Sequence, residues 1–144
     1  MKSHSSGFTL VELLVVIAIL GVLAGVVTVS VVKHLDYAKV EAAKVDVRMI
    51  VSALKMFHIQ TGDYPAATDG LQALITEPAS LAGTGKWKGP YLETGSIPKD
   101  PWGYDFIYNK PGQDNRDFDV ISYGKDGTAG GDGLNADITS FNIN

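Results

Sequence analysis

The sequence predicts an α+β protein: one long N-terminal helix followed by a small antiparallel sheet. Three observations carry this. An apolar run in the first quarter passes directly into a one-sided helical pattern, with no glycine or proline between Val26 and Thr61. Gly62 and Pro65 then stop that pattern. Later, two short alternating stretches flank a polar turn, the signature of a hairpin.

The helix comes first. From Leu13 to Val32 only Thr28 and Ser30 are polar. Twenty helical residues rise about 30 Å, the thickness of a bilayer hydrocarbon core, so a transmembrane helix is expected here. The competing reading is a cleaved secretory signal. It fits poorly, because the leader carries only Lys2 and the apolar run continues past any small-residue cleavage site. Beyond Val32, Val47, Ile50, Leu54 and Phe57 fall at spacings of three and four, one buried stripe of an amphipathic helix that should end near Gln60. Met49 and Met56 are read as core filler, and His34 and His58 as surface or boundary residues.

The remainder is the head. Asp69 is placed to cap a short helix over residues 70–75, which Pro78 ends. Residues 82–90, rich in Gly and Lys, read as loop. Phe106 and Tyr108 alternate with Ile107 on one strand, and Phe118, Val120 and Ser122 alternate with Ile121 on the next. The turn "NKPGQDNRD" joins them.

Composition excludes several functions. There are no cysteines, hence no disulfide framework, thiolate metal site or cysteine nucleophile. The net charge of −4 argues against nucleic-acid binding, which needs a basic stripe. That charge is concentrated between Asp114 and Asp137, where six Asp face Arg116 and Lys125. No nucleophile–base pair and no histidine-based catalytic metal set is legible, which argues against an enzyme.

Glu12 is the anomaly of the apolar run. A carboxylate in an inserted helix costs roughly 2.5–3.5 kcal/mol near the bilayer centre and less near an end. It therefore demands a cation in the same layer. No Lys or Arg lies within reach along this helix, so the partner must come from another chain.

"GFTLVE" (Gly7 to Glu12) followed by the apolar run resembles the class III signal of type IV pilins and pseudopilins. The resemblance implies a leader, residues 1–7, that a prepilin peptidase removes between Gly7 and Phe8 before methylating the Phe8 amine. It implies that Glu12 neutralises the Phe8 ammonium of a neighbouring subunit in a homopolymer. Residues 8–32 would be the transmembrane and assembly half of the helix, and residues 33–144 a periplasmic head. Loop charges leave the orientation undecided, so a single pass through the bacterial inner membrane with the head outside rests on the resemblance. Relatives usually carry a helix-breaking proline soon after the membrane stretch; here the text is "VVTVSVVK" (Val26 to Lys33), a β-branched run of poor helix propensity.

The head narrows the resemblance. "YP…TDGLQAL", "GPYL", "PKDPWG" and "FDVISYGKDGTAGGDG…ADI", in this order, are similar to the major pseudopilins of type II secretion systems, the general secretion pathway protein G family. The expected fold is accordingly type IV pilin-like. The expected function is a structural subunit of the periplasmic pseudopilus that drives protein export. Its partners would be minor pseudopilins, the inner-membrane assembly platform and the peptidase. The alternative, a pilin for adhesion, motility or DNA uptake, is disfavoured because such heads commonly close with a disulfide.

"GKDGTAGGDGLNADI" (Gly124 to Ile138) gathers hard oxygen donors and flexible glycines, which suits calcium. It fails the EF-hand pattern and matches a calcium β-roll only in part, so composition alone leaves a solvated acidic loop equally open. The resemblance implies one structural Ca²⁺. It places Asp126 and Asp137 on side-chain ligand positions, Tyr123 and Thr128 on carbonyl-donor positions, and adds Asn135 or Asp132 from the variable part.

Overall fold

The computed structural model describes residues 7–143, and within the long helix it leaves the side chains of residues 26–33 undescribed. Helix α1 spans Leu10–Thr61. The chain divides into two compact units, one ending at Asp36 and one comprising Tyr37–Asn144.

In the first unit the side chains from Phe8 to Leu23 face outward, Phe8 being 86% exposed and Ile17 55%. Among the described residues no helix is long and apolar enough to cross a membrane. The expected span, residues 13–32, runs onto the undescribed side chains. The leader expected over residues 1–7 lies outside the described residues except for Gly7, and so do the side chains of the β-branched stretch.

In the second unit the expected stripe is buried: Val47, Ile50, Leu54 and Phe57, with Ala43 and Ala53 added. Spacings of three and four place these side chains on one side of α1, where Leu71, Leu74, Leu92, Phe106, Val120 and Ile138 close over them. Gly62 ends α1. Its φ of +96° is open to glycine without cost, and its N–H donates to the His58 carbonyl (2.8 Å), taking up one of the helix's last carbonyls.

Strands β1 (Ile107–Asn109), β2 (Asp119–Ser122) and β3 (Ile138–Thr139) form one antiparallel sheet in the order β1-β2-β3. Ile107 pairs with Ile121 and Tyr108 with Val120; Ser122 pairs with Ile138. The hairpin turn contains Asp114 and Asn115 at φ of 51° and 60°, left-handed conformations that Asp and Asn tolerate best after glycine. The expected alternation does not hold on β2. All four residues are buried, because β2 is the central strand and both its faces are covered. Strand β3 was not anticipated, being only two residues long.

Two further expectations are corrected. The short helix expected over residues 70–75 is a 3₁₀ helix over Gly70–Leu74, but Asp69 does not cap it; its backbone is itself helical (φ −84°, ψ −29°), whereas a cap needs extended backbone. Met49 and Met56 are not core filler but exposed, 37% and 50% respectively. They lie on a different side of α1 from the buried stripe.

The long loop between α1 and β1 is fastened by aromatic handles. Trp87 Nε1 donates to the Ala73 carbonyl (2.9 Å), and Tyr91 hydroxyl donates to Gln60 Oε1 on α1 (2.8 Å). Tyr108 hydroxyl donates to the Pro65 carbonyl (2.9 Å), and burial pushes its phenol well above the ordinary range. At the chain end, Ile143 is buried, and Arg48 donates to its carbonyl (2.9 Å).

Candidate functional site

Two separate places carry the chemistry read from the sequence, and each lies within one unit.

At the start of α1, Thr9 and Glu12 form a reciprocal cap. Thr9 N–H and Thr9 Oγ1 both donate to Glu12 Oε2 (2.9 Å each), and Glu12 N–H donates back to Thr9 Oγ1 (3.2 Å). This is a capping box, T-x-x-E, and it satisfies two backbone N–H groups that a helix start leaves open. Within a single subunit, Glu12 therefore has an occupation besides the intersubunit one expected for it. Thr9 is the residue that sequence reasoning passed over, although the spacing was there to read. Gly7 and Phe8 precede the cap, outside any regular element and exposed.

The acidic loop lies between β2 and β3. It is built from two 3₁₀ turns, Gly124–Asp126 and Gly133–Asn135, packed against each other. Two glycines allow this closure. At Gly124 (φ +68°) an added Cβ would stand 2.9 Å from the Ala136 carbonyl oxygen, and at Gly131 (φ +84°) 2.5 Å from that of Asn135. Any side chain there would push the two arms apart.

Within the loop, Asp126 Oδ1 accepts from Thr128 N–H (3.2 Å) and Asp137 Oδ2 from Gly130 N–H (3.0 Å). Asp137 carbonyl accepts from the Asn142 side chain (3.0 Å). Asp132 accepts from Asn135 N–H through its backbone carbonyl (3.1 Å), its side chain making no cap. Tyr123 is half-buried, and Thr128 and Asn135 are exposed. Asp137 Oδ1 is buried yet has no hydrogen-bond partner among the described residues, and neither has Thr139 Oγ1 two residues on. Among the described residues no cluster of three His, Cys, Asp or Glu is placed to hold a metal. A cation here would therefore draw on backbone carbonyls as well as on the Asp126 and Asp137 carboxylates. The orphaned Asp137 oxygen suits that role.

Elsewhere in the head the polar groups serve structure. Asp100 is buried and holds its own turn, accepting from Trp102 N–H (3.1 Å) and Tyr104 N–H (2.8 Å), while Ser122 hydroxyl donates to its second oxygen (2.6 Å). Asp119 is fully buried on β2. It accepts from Arg116 Nε (2.7 Å) and from Gln113 N–H (2.8 Å).

Comparison with known proteins follows this division of the chain. The family model described as the prokaryotic N-terminal methylation motif matches residues 2–28, and that of type II secretion system protein G matches residues 30–141. The type II secretion system core protein G of Pseudomonas aeruginosa is 40% identical over 141 residues, covering 97% of each chain. The chain belongs to the type II secretion system protein G family. The Vibrio cholerae core protein G is 38% identical over 138 residues, covering 96% of this chain and 92% of that one. The crystal structure of the major pseudopilin from the type 2 secretion system of enterohaemorrhagic Escherichia coli superposes with a TM-score of 0.61 at 28% identity, covering 76% of this chain and 91% of that one. The long helix with a small three-stranded head is thus the pseudopilin fold, and this pseudopilin is a structural subunit of the secretion pseudopilus.

Proposed function

We propose that this pseudopilin is matured by removal of residues 1–7 and methylation of Phe8, held in the inner membrane by residues 8–32, and then polymerised into a periplasmic filament that drives protein export. The observation that carries this reading is the surface from Phe8 through the start of α1 to Leu23. It is apolar, exposed in a single subunit, and headed by one carboxylate, Glu12. Such a surface requires lipid first and neighbouring helices later. On assembly Glu12 exchanges its capping bonds with Thr9 for the ammonium on Phe8 of a neighbour, so a side chain that is costly in lipid becomes paired in the polymer. The assembly platform and minor pseudopilins are the partners this role requires. The head contributes shape and stability rather than catalysis, its buried Asp100, Ser122 and Asp119 being spent on turns and the sheet.

In the acidic loop, Asp126 and Asp137 would hold one calcium ion, with the carbonyls of Tyr123 and Thr128 and a contribution from Asn135 or Asp132. When bound, the ion supplies a cross-link between the two arms of the loop. The buried Asp137 oxygen and the local surplus of Asp support this, and a small head without disulfides gains from such a staple.

The experiment is export complementation. In a strain lacking its own copy, the full chain should restore secretion of the cognate proteins. Glu12→Leu should abolish export while the protein still accumulates in the membrane. Normal export by Glu12→Leu would remove the assembly role.

A further inference from the structure

The buried Asp100 carboxylate does more than close its own turn. Its Oδ1 accepts from the N–H groups of Trp102 (3.1 Å) and Tyr104 (2.8 Å), and the Asp100 N–H donates to the Tyr104 carbonyl (2.9 Å). An asparagine would serve that turn as well, since one acceptor oxygen is all it needs. Oδ2 points elsewhere. It accepts from the Ser122 hydroxyl at 2.6 Å, a charge-assisted bond between two buried side chains.

Ser122 is the last residue of β2, and the acidic loop begins directly after it. With its hydrogen directed at Asp100, Ser122 Oγ accepts from Gly124 N–H (3.3 Å). The turn reaches the loop a second time through the Tyr104 ring. At Gly127 (φ +67°) an added Cβ would stand 2.6 Å from Tyr104 Cζ, so the ring lies directly over that glycine. Both ends of the segment 124–127 are therefore tied to one carboxylate. Gly124 is held through Ser122, and Gly127 is backed by Tyr104, whose backbone N–H and carbonyl are both bound to Asp100.

We propose that Asp100 is the positioning residue of the calcium loop, setting the arm that carries Tyr123, Asp126 and Thr128 in place before the ion arrives. The inference rests on the calcium reading above. The arm needs such an anchor, because glycine stands at 124, 127, 130, 131 and 133 and gives the loop wide backbone freedom. An ion that had to order this loop would spend binding energy on it. An arm fixed beforehand spares that cost.

The test is calcium affinity, measured on the full chain in detergent micelles by competition with a chromophoric chelator. Asp100→Asn keeps an acceptor for the turn and gives up the one for Ser122, while Ser122→Ala removes the relay. Each should weaken calcium binding by about 10- to 100-fold, the usual cost of removing a group that supports a metal ligand. The double variant should bind no more weakly than the weaker single one, because both changes break the same link. Tyr104→Ala should also weaken binding and Tyr104→Phe should not, the ring being what covers Gly127. A purely structural Asp100 would instead lower the urea midpoint in chelator and leave the affinity of the folded chain unchanged. Unchanged affinity in Asp100→Asn and Ser122→Ala, or losses that add in the double variant, would overturn the proposal. Tyr104 is 43% exposed, so its variants decide the matter if the buried ones do not fold. Equal affinities of Tyr104→Ala and Tyr104→Phe would then overturn it. An unsubstituted chain that binds no calcium would overturn the calcium reading itself, and this inference with it.

Discussion

At the scale of single residues, the pair of buried Asp119 with the partly exposed Arg116 is the sharpest test. Burial alone would raise the Asp119 carboxyl, but the hydrogen bonds from Arg116 and Gln113 N–H, with the guanidinium charge, hold it below the ordinary Asp range. A carboxyl lowered on folding stabilises the folded state above the unfolded value of about 3.9 and loses that contribution as pH falls through the folded value. Head stability should therefore decline below about pH 4. Arg116→Ala should destabilise the head at neutral pH, because the buried Asp119 carboxylate loses its cation and keeps only the Gln113 N–H. Urea unfolding of residues 37–144 across pH checks both. The Thr9–Glu12 box was legible as T-x-x-E, yet the question of why a carboxylate sits in an apolar run led only outward, to a second chain. The burial of Asp119 was not legible. Alternation sets Phe118 and Val120 on one face of the strand, and nothing in the text says that a central strand is covered on both faces.

At the scale of elements, α1 shows what periodicity can and cannot decide. The stripe of Val47, Ile50, Leu54 and Phe57 was readable and is buried. Met49 and Met56 lie on an exposed side of the helix, and composition does not tell which apolar side the head covers. Leu54→Ala should therefore destabilise the head by about 2–5 kcal/mol, whereas Met56→Gln should stay within about 0.5 kcal/mol. Equal effects in urea titrations would mean that the two faces have been assigned wrongly. Strand β3 escaped notice because two residues carry no period. It is placed by the loop that Gly124 and Gly131 close.

At the scale of the whole molecule, a single chain leaves two weak points. The head has a modest core and no disulfide. With millimolar calcium its thermal midpoint should rise by several degrees over chelator, a stabilisation of about 2–3 kcal/mol if free ion exceeds Kd a hundredfold. Asp137→Ala should abolish that rise, and no rise in the unsubstituted head would leave the loop merely solvated. In the first unit the described side chains from Phe8 to Leu23 are exposed and almost all apolar, the surface that the proposed lipid and filament contacts would cover. The order of motifs along the chain made this division legible from "GFTLVE" onward.

The most direct test of that account is electron microscopy of filaments sheared from cells producing the secretion apparatus, with mass spectrometry of their subunits. The prediction is filaments built of this chain beginning at N-methylated Phe8, and none from Glu12→Leu although its leader is still removed. Filaments of unchanged abundance from Glu12→Leu, or a chain that never leaves the monomeric state, would contradict it.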